Sequence, residues 1–358
     1  MEITVLKQAL GIDVSKDTLS VCLGILKSDL SKEFVSRDDV SNDNQGFKEL
    51  VKWLKSVSKK GAILTVVLEA TGVYHEGITL YLHDLGYKVC VMQSGRVKKY
   101  AQSLDQRSKT DALDSKMLSM LGCERELMIW SPPSKTLQEL RGLSRERSAL
   151  IQERSAEKNR MHALKISSYT DKRAVKRYEK RMTLINKQIA EIEKEMAECT
   201  QKDDLLAKKM NYLESIPGVS FISVATVVAE TGGFALINNA KQLTSYAGYD
   251  VVLRESGNYQ GKTKISKKGN KHIRAILHMP SMTAIRVNPT LSPFYKRLKP
   301  KKVKPIVALV AVQRKMLVLM YSLWKSEMYY DTEFEQKKAA KNQVFAAQDR
   351  NKSKFVTS

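Results

Sequence analysis

The sequence predicts an α/β domain, then a long helical segment, then a mainly helical C-terminal domain. Three observations predict it. Through about residue 125, short apolar runs alternate with segments of helical period. From Ser134 to Met210 the chain has no proline and only Gly142 as glycine, and it is rich in Glu, Lys and Arg. Beyond Ile216-Pro-Gly-Val219, apolar helical stretches surround one polar, glycine-punctuated segment over 254–270.

In order, residues 11–14 and 18–26 read as strands joined by the turn Ser15-Lys16-Asp17, and 34–40 as a third strand. A helix follows over 44–57, where Phe47, Leu50, Val51 and Leu54 share a face. Residues 63–69 read as a buried strand, 72–85 as a helix and 87–92 as another strand. Helices over 96–103 and 109–121 complete a first domain, 1–130. The order βββαβαβα, a three-strand meander followed by parallel crossovers, is ribonuclease-H-like (Holliday-junction-resolvase-like).

Two prolines in Ser131-Pro-Pro-Ser134 interrupt regular structure and open a middle segment, 131–210. Within it Met182, Ile185, Ile189, Ile192 and Met196 step by three and four, the seam of a coiled coil. That predicts two long helices folded back near residues 167–171, or pairing with a second subunit. The C-terminal domain, 211–335, is expected to hold helices at 221–230 and 240–247, a longer one through Arg286 and an apolar one over 304–330. Residues 336–358 are polar with no sustained apolar face, the composition of a disordered tail.

The formal net charge of +23 is uneven: 18 Lys and Arg face 16 Asp and Glu through Arg125, and 43 face 22 beyond it. Such an excess predicts a polyanionic partner. No apolar run is as long as a bilayer span, and neither a secretory signal nor an amphipathic anchor is evident. A cytoplasmic, nucleoid-associated protein with no membrane partner is therefore expected. Cys22, Cys90, Cys123 and Cys199 form no Cys-x-x-Cys pair and read as reduced, mostly buried thiols rather than a zinc site.

Four acids stand out. Asp13 closes the apolar approach Ala9-Leu10-Gly11-Ile12, and Glu69 closes Ile63-Leu64-Thr65-Val66-Val67-Leu68. Asp111 and Asp114, three apart, share a helix face. Singly each is weak, because a strand-terminal Asp is more often a turn or cap residue and helix carboxylates are usually solvated. Asp17 fits the first turn and Asp105 a helix cap. The coincidence carries the argument: two acids finish strands at one end of one sheet, where function gathers, and an i, i+3 pair follows on a later helix. Clustered carboxylates repel without a cation, so Mg2+ or Mn2+ is the natural occupant, and phosphoryl chemistry the natural reaction.

From Arg254 to Lys304 the chain carries 14 Lys and Arg and one acid, Glu255. Lys262, Lys264, Lys267, Lys268, Lys271 and Arg274 are predicted phosphate contacts. Ser256, followed by glycine and ringed by cations, is a candidate nucleophile, although Ser-Gly is also ordinary turn chemistry.

Gly-Ile-Asp13-Val-Ser-Lys, Glu69-Ala-Thr-Gly-Val-Tyr and Lys-Thr-Asp111-Ala-Leu-Asp114 resemble the successive motifs of the DEDD transposases of bacterial insertion sequences. Ile216-Pro-Gly-Val, Ser256-Gly and Lys268-Gly-Asn-Lys-His-Ile-Arg274 resemble their C-terminal signature, and the likeness runs in order over residues 8–325. It implies a metal-binding set of Asp13, Glu69, Asp111 and Asp114. It also implies a serine that becomes covalently linked to DNA, here Ser256, with Ser266 as the alternative. The partners implied are donor and target DNA and an element-encoded non-coding bridge RNA. The assembly implied is a dimer of dimers whose active sites combine domains of different subunits. The competing expectation is a metal-dependent nuclease or junction resolvase that hydrolyses with the acids alone.

Overall fold

The computed structural model describes residues 3–334 apart from 71, 105–107, 109, 170, 236, 253–254, 258, 262–263 and 302–303. Lys262, Asp105 and the expected tail at 336–358 lie outside the described residues. The chain divides into two compact units, Met1–Pro132 and Pro133–Ser358.

The first unit is a mixed α/β layer structure. Its strands are β1 (Val5–Val14), β2 (Thr18–Lys27), β3 (Lys32–Ser41), β4 (Ile63–Glu69) and β5 (Lys88–Met92), in the sheet order β3-β2-β1-β4-β5. The β1–β2 and β2–β3 pairs are antiparallel, and β1–β4 and β4–β5 parallel. Alternation along each strand separates two apolar faces. Leu10, Ile12, Val66, Leu68 and Val89 pack with α1 (Asn44–Val57) and α2 (Glu76–Asp84) through Phe47, Leu50, Leu54, Ile78 and Leu82. On the opposite face Val67, Cys90 and Met92 meet α3 (Ser94–Ser103) and α4 (Asp111–Glu124) through Val97, Tyr100, Met117, Leu118 and Leu121.

The second unit opens with α5 (Lys135–Ile166) and α6 (Lys172–Gln201), antiparallel partners joined by a short turn. Arg147 with Glu193 (2.7 Å) and Arg154 with Asn186 (3.3 Å) tie the two helices in one register. The seam residues Ile185, Ile189, Ile192 and Met196 are buried within this one chain. Within this chain α6 is folded back on α5. Ile192, Met196 and Leu140 also belong to the core of the helices that follow, so the base of the hairpin is continuous with the C-terminal helices. Ile189→Asp is accordingly expected to cost more than about 3 kcal/mol of unfolding free energy, because the carboxylate would be buried without a partner. Chemical denaturation checks this; unchanged stability would show that the seam is not packed as described.

After α7 (Asp204–Glu214), α8 (Phe221–Glu230) and α9 (Ala240–Tyr246) come four two-residue strands: β6 (Val251–Val252), β7 (Glu255–Ser256), β8 (Tyr259–Gln260) and β9 (Lys264–Ile265). The helix expected to run through Arg286 is two, α10 (Lys271–Ile276) and α11 (His278–Val287). Pro280 explains the break: it lacks an N–H for the preceding turn and is tolerated only in a first turn, where α11 places it. Helix α12 (Leu291–Leu298) leads to α13 (Pro305–Ser326), which Glu327 ends in a left-handed conformation, φ 54°.

By length and mean hydropathy α13 could cross a membrane, although Gln313-Arg314-Lys315 interrupts its apolar run. Here it serves as core. Val312, Met316, Leu317 and Met320 are fully buried, and Gln313 accepts a hydrogen bond from the buried Tyr249 hydroxyl at 3.0 Å.

Candidate active site and nucleic-acid interface

The register of the first sheet brings two acids side by side. In the β1–β4 pairing Ile12 faces Leu68, so Asp13 and Glu69, each the next residue, stand level at the carboxyl ends of adjacent parallel strands. Their faces follow from parity. A Cβ on Gly11 would lie 2.0 Å from the Ser115 carbonyl oxygen, so Gly11, and with it Asp13 two residues on, faces α4. Val67 lies 2.7 Å from where a Gly122 Cβ would sit, so Glu69 faces α4 as well.

The direction of α4 completes the set. Ser115 lies over Gly11 and Gly122 over Ala9, so the helix runs antiparallel to β1 and its first turn reaches toward Asp13. Thr110 caps that turn, its Oγ1 accepting the Leu113 N–H at 3.2 Å. The cap starts the helix at Asp111, which puts both Asp111 and Asp114 in its first turn, where the helix dipole favours carboxylates. All four acids therefore occupy one end and one face of the first unit. Asp111 is exposed, and the other three are half-buried.

The donors fit Mg2+ or Mn2+ in kind, being carboxylate oxygens only. They form an open arrangement: among the described residues no three Asp, Glu, His or Cys side chains are gathered closely enough to cage a metal ion. Openness suits Mg2+, which is commonly held by one or two carboxylates together with substrate phosphate and water.

In the second unit β6 pairs with β9 and β7 with β8, two separate antiparallel pairs. Ser256 faces Tyr259 in the last pair, and Gly257 turns the chain at φ 54°, which glycine adopts at no steric cost. Ser256 is thereby exposed beside the tip.

Ser266 is placed otherwise. Its Oγ donates to the Asp250 carboxylate at 2.5 Å and accepts the Lys268 N–H at 3.2 Å, which makes it a brace of its loop. Lys264, Lys267, Lys268 and Lys271 are exposed. Arg274 is half-buried, and its Nη1 donates to the Ala247 carbonyl (2.8 Å) and the Asn270 carbonyl (3.2 Å). It joins the end of α9 to the start of α10, a structural task beside the expected phosphate contact.

A residue that sequence reasoning missed fixes this motif in place. Glu230, buried at the end of α8, accepts from Arg145 Nε at 2.8 Å and from Asn270 Nδ2 at 2.6 Å. Burial alone would raise its carboxyl; the hydrogen bonds from Arg145 and Asn270 outweigh that and hold it below the ordinary value. Nearby His272 is lowered, chiefly by burial, with the Glu230 charge opposing. The available signal was an acid closing the apolar run Phe221-Ile-Ser-Val-Ala-Thr-Val-Val-Ala229, the same signal that marked Asp13 and Glu69.

Two family models match, in order. The DEDD transposase model of the IS110 type covers residues 10–165, which include all four acids. The model described as transposase IS116/IS110/IS902 family covers residues 210–296, which include Ser256 and the Lys268–Arg274 motif. The chain belongs to this transposase family. The pilin gene-inverting protein of Moraxella bovis is 26% identical over 329 residues, spanning 91% of this chain and 98% of that relative. A transposase for insertion sequence element IS1111A of Coxiella burnetii is 22% identical over 298 residues, 75% of each chain. The transposase family signature and the geometry therefore coincide: each matched segment holds one of the two constellations described above.

Proposed function

We propose that this transposase-family chain is a recombinase that cuts and rejoins DNA through a covalent phosphoserine on Ser256, guided by a structured RNA encoded by its element. The observation that carries the reading is the gathering of Asp13, Glu69, Asp111 and Asp114 at one end and face of the first unit. The sheet order of that unit supports a ribonuclease-H-like assignment, in which such an end is catalytic. Transposase and gene-inverting relatives support DNA as the substrate.

In the proposed step the Ser256 Oγ bonds to phosphorus as the bond from phosphorus to a sugar oxygen breaks. The hydroxyl loses its proton and the departing sugar oxygen takes one up. One phosphoester replaces another, so the reverse attack by a different strand end rejoins DNA without ATP. Lys264, Lys267, Lys268 and Lys271 offset charge on the strand being held. A divalent cation held by one or two of the four carboxylates together with substrate phosphate would supply neutralisation of the scissile phosphate. With acids and serine on separate units, the reading includes a composite site made by different subunits of a dimer of dimers. It also includes a cytoplasmic, nucleoid-associated setting.

The second reading is a nuclease or junction resolvase that hydrolyses with the acids alone, favoured by their forming a complete set within one unit. Products separate the two. Incubated with donor and target duplexes and its co-purified RNA, the chain is expected to leave a detergent-resistant protein–DNA adduct. Free ends without adduct would overturn the recombinase reading. Sequencing the co-purified RNA is expected to return one discrete, structured species, and random fragments would remove RNA guidance.

A further inference from the structure

The start of α6 reads Lys172-Arg173-Ala-Val-Lys176-Arg177-Tyr-Glu-Lys180-Arg181, three Lys-Arg pairs at a spacing of four. All six cations are exposed. Four residues advance a helix by about 6 Å, so the pairs form a ladder with even rungs. At about 100° per residue, the centre of the ladder lies roughly 140° around the helix from the seam of Ile185, Ile189, Ile192 and Met196. The seam is spent on α5, so the ladder, apart from Arg181, faces away from the chain's own packing.

The local charge agrees. From 172 to 190 the sequence holds seven Lys and Arg and one acid, Glu179. The acids that do touch the ladder serve the fold. Asp171 caps α6 through the Arg173 N–H at 2.9 Å and lies 3.6 and 3.8 Å from Arg173 and Arg177. Glu157 of α5 is clasped by Arg160 (2.7 Å) and Arg181 (3.1 Å), which joins the two helices where no apolar residue of α6 is buried.

We propose that this half of the hairpin is a docking rail for the phosphate backbone of duplex DNA, outside the segment that holds Ser256. The ladder offers only cationic donors. It has no Asn, Gln, Ser or Thr to read base edges, so contact would be independent of sequence. Its acceptors are few, the Glu179 carboxylate and the Tyr178 hydroxyl, so little in it would select a 2′-hydroxyl, the group by which a protein prefers RNA. Its one aromatic, Tyr178, already carries the Arg181 guanidinium 4.4 Å from its ring centroid, so unstacked single-stranded bases find no platform. The inference rests on the proposed action on DNA but not on the serine chemistry.

The test is the salt dependence of binding to a non-specific DNA duplex, read by fluorescence anisotropy on the full chain. The variant is Lys172→Gln, Lys176→Gln, Arg177→Gln and Lys180→Gln together; Arg181 is kept because it holds Glu157. Four lost phosphate contacts should lower the slope of log K against log salt by about 3 to 4. Lys187→Gln with Lys194→Gln is the control, since both lysines pair with acids one turn on, Glu191 and Glu198. The control should leave the slope unchanged. An unchanged slope in the fourfold variant, an equal drop in the control, or a drop seen with duplex RNA but not with DNA would each overturn the rail. Circular dichroism on the variant separates loss of contact from loss of helix. Adduct formation by Ser256 is scored separately, so either idea can fail alone.

Discussion

Ser256→Ala is expected to abolish the protein–DNA adduct, lowering strand cleavage by at least about a thousandfold while DNA affinity stays within a few-fold. The paired variant makes the result decisive. Ser266 is the other serine between Arg254 and Arg274, but its Oγ is engaged by Asp250 at 2.5 Å and by the Lys268 N–H. Ser266→Ala should leave adduct chemistry in place and weaken the loop by about 1–2 kcal/mol, the cost of unmaking such bonds. Adduct yield on a denaturing gel, with melting temperature alongside, checks both. If adduct survives Ser256→Ala and vanishes with Ser266→Ala, the nucleophile moves ten residues along the chain.

Gly11→Ala is expected to do nearly as much damage without touching an acid. Its new Cβ would lie 2.0 Å from the Ser115 carbonyl oxygen and 2.5 Å from the Ser119 nitrogen. Both are backbone atoms, so no rotamer change relieves the clash, and α4 must move off the sheet. Overpacking of this kind costs about 1–3 kcal/mol. The larger consequence is positional, since Asp111 and Asp114 ride on the displaced helix and a shift of about 1 Å at such a site costs roughly a hundredfold in rate. Activity should fall further than stability, with DNA binding retained. Full activity in Gly11→Ala would show that the approach of α4 to β1 does not position the acids.

These predictions separate what could be read from the chain and what could not. Asp13 and Glu69 were legible because an apolar run ended on each, and a strand's period tells where its last residue points. Asp111 and Asp114 were legible as a pair, and Thr110 as a cap moved the helix start by only two residues from the expected 109. Their convergence was not legible. It depends on α4 crossing antiparallel to β1 over glycines that no local pattern marks as contacts.

The seam of α6 showed its period but not its partner, because three-and-four spacing is the same whether the facing helix comes from one chain or two. Arg274 and Glu230 were hidden by their company. In a stretch of 14 cations a half-buried arginine looks like its neighbours, and an acid at the end of an apolar helix looks like a cap. The two-residue strands around Ser256 are too short to show alternation, so that segment read only as polar and glycine-rich.

The thiols have a practical use. All four cysteines of the chain are buried, and burial pushes the Cys90 thiol up to about 11 and raises Cys123 and Cys199 as well. Thiolate is the reactive form, so the native chain is a quiet background for sulfur chemistry. A single cysteine introduced at the turn between α5 and α6, where Tyr169 is 78% exposed, would react with a maleimide dye ahead of the rest. Fluorescence could then follow one hairpin at a time through assembly on DNA, without first stripping cysteines from the protein.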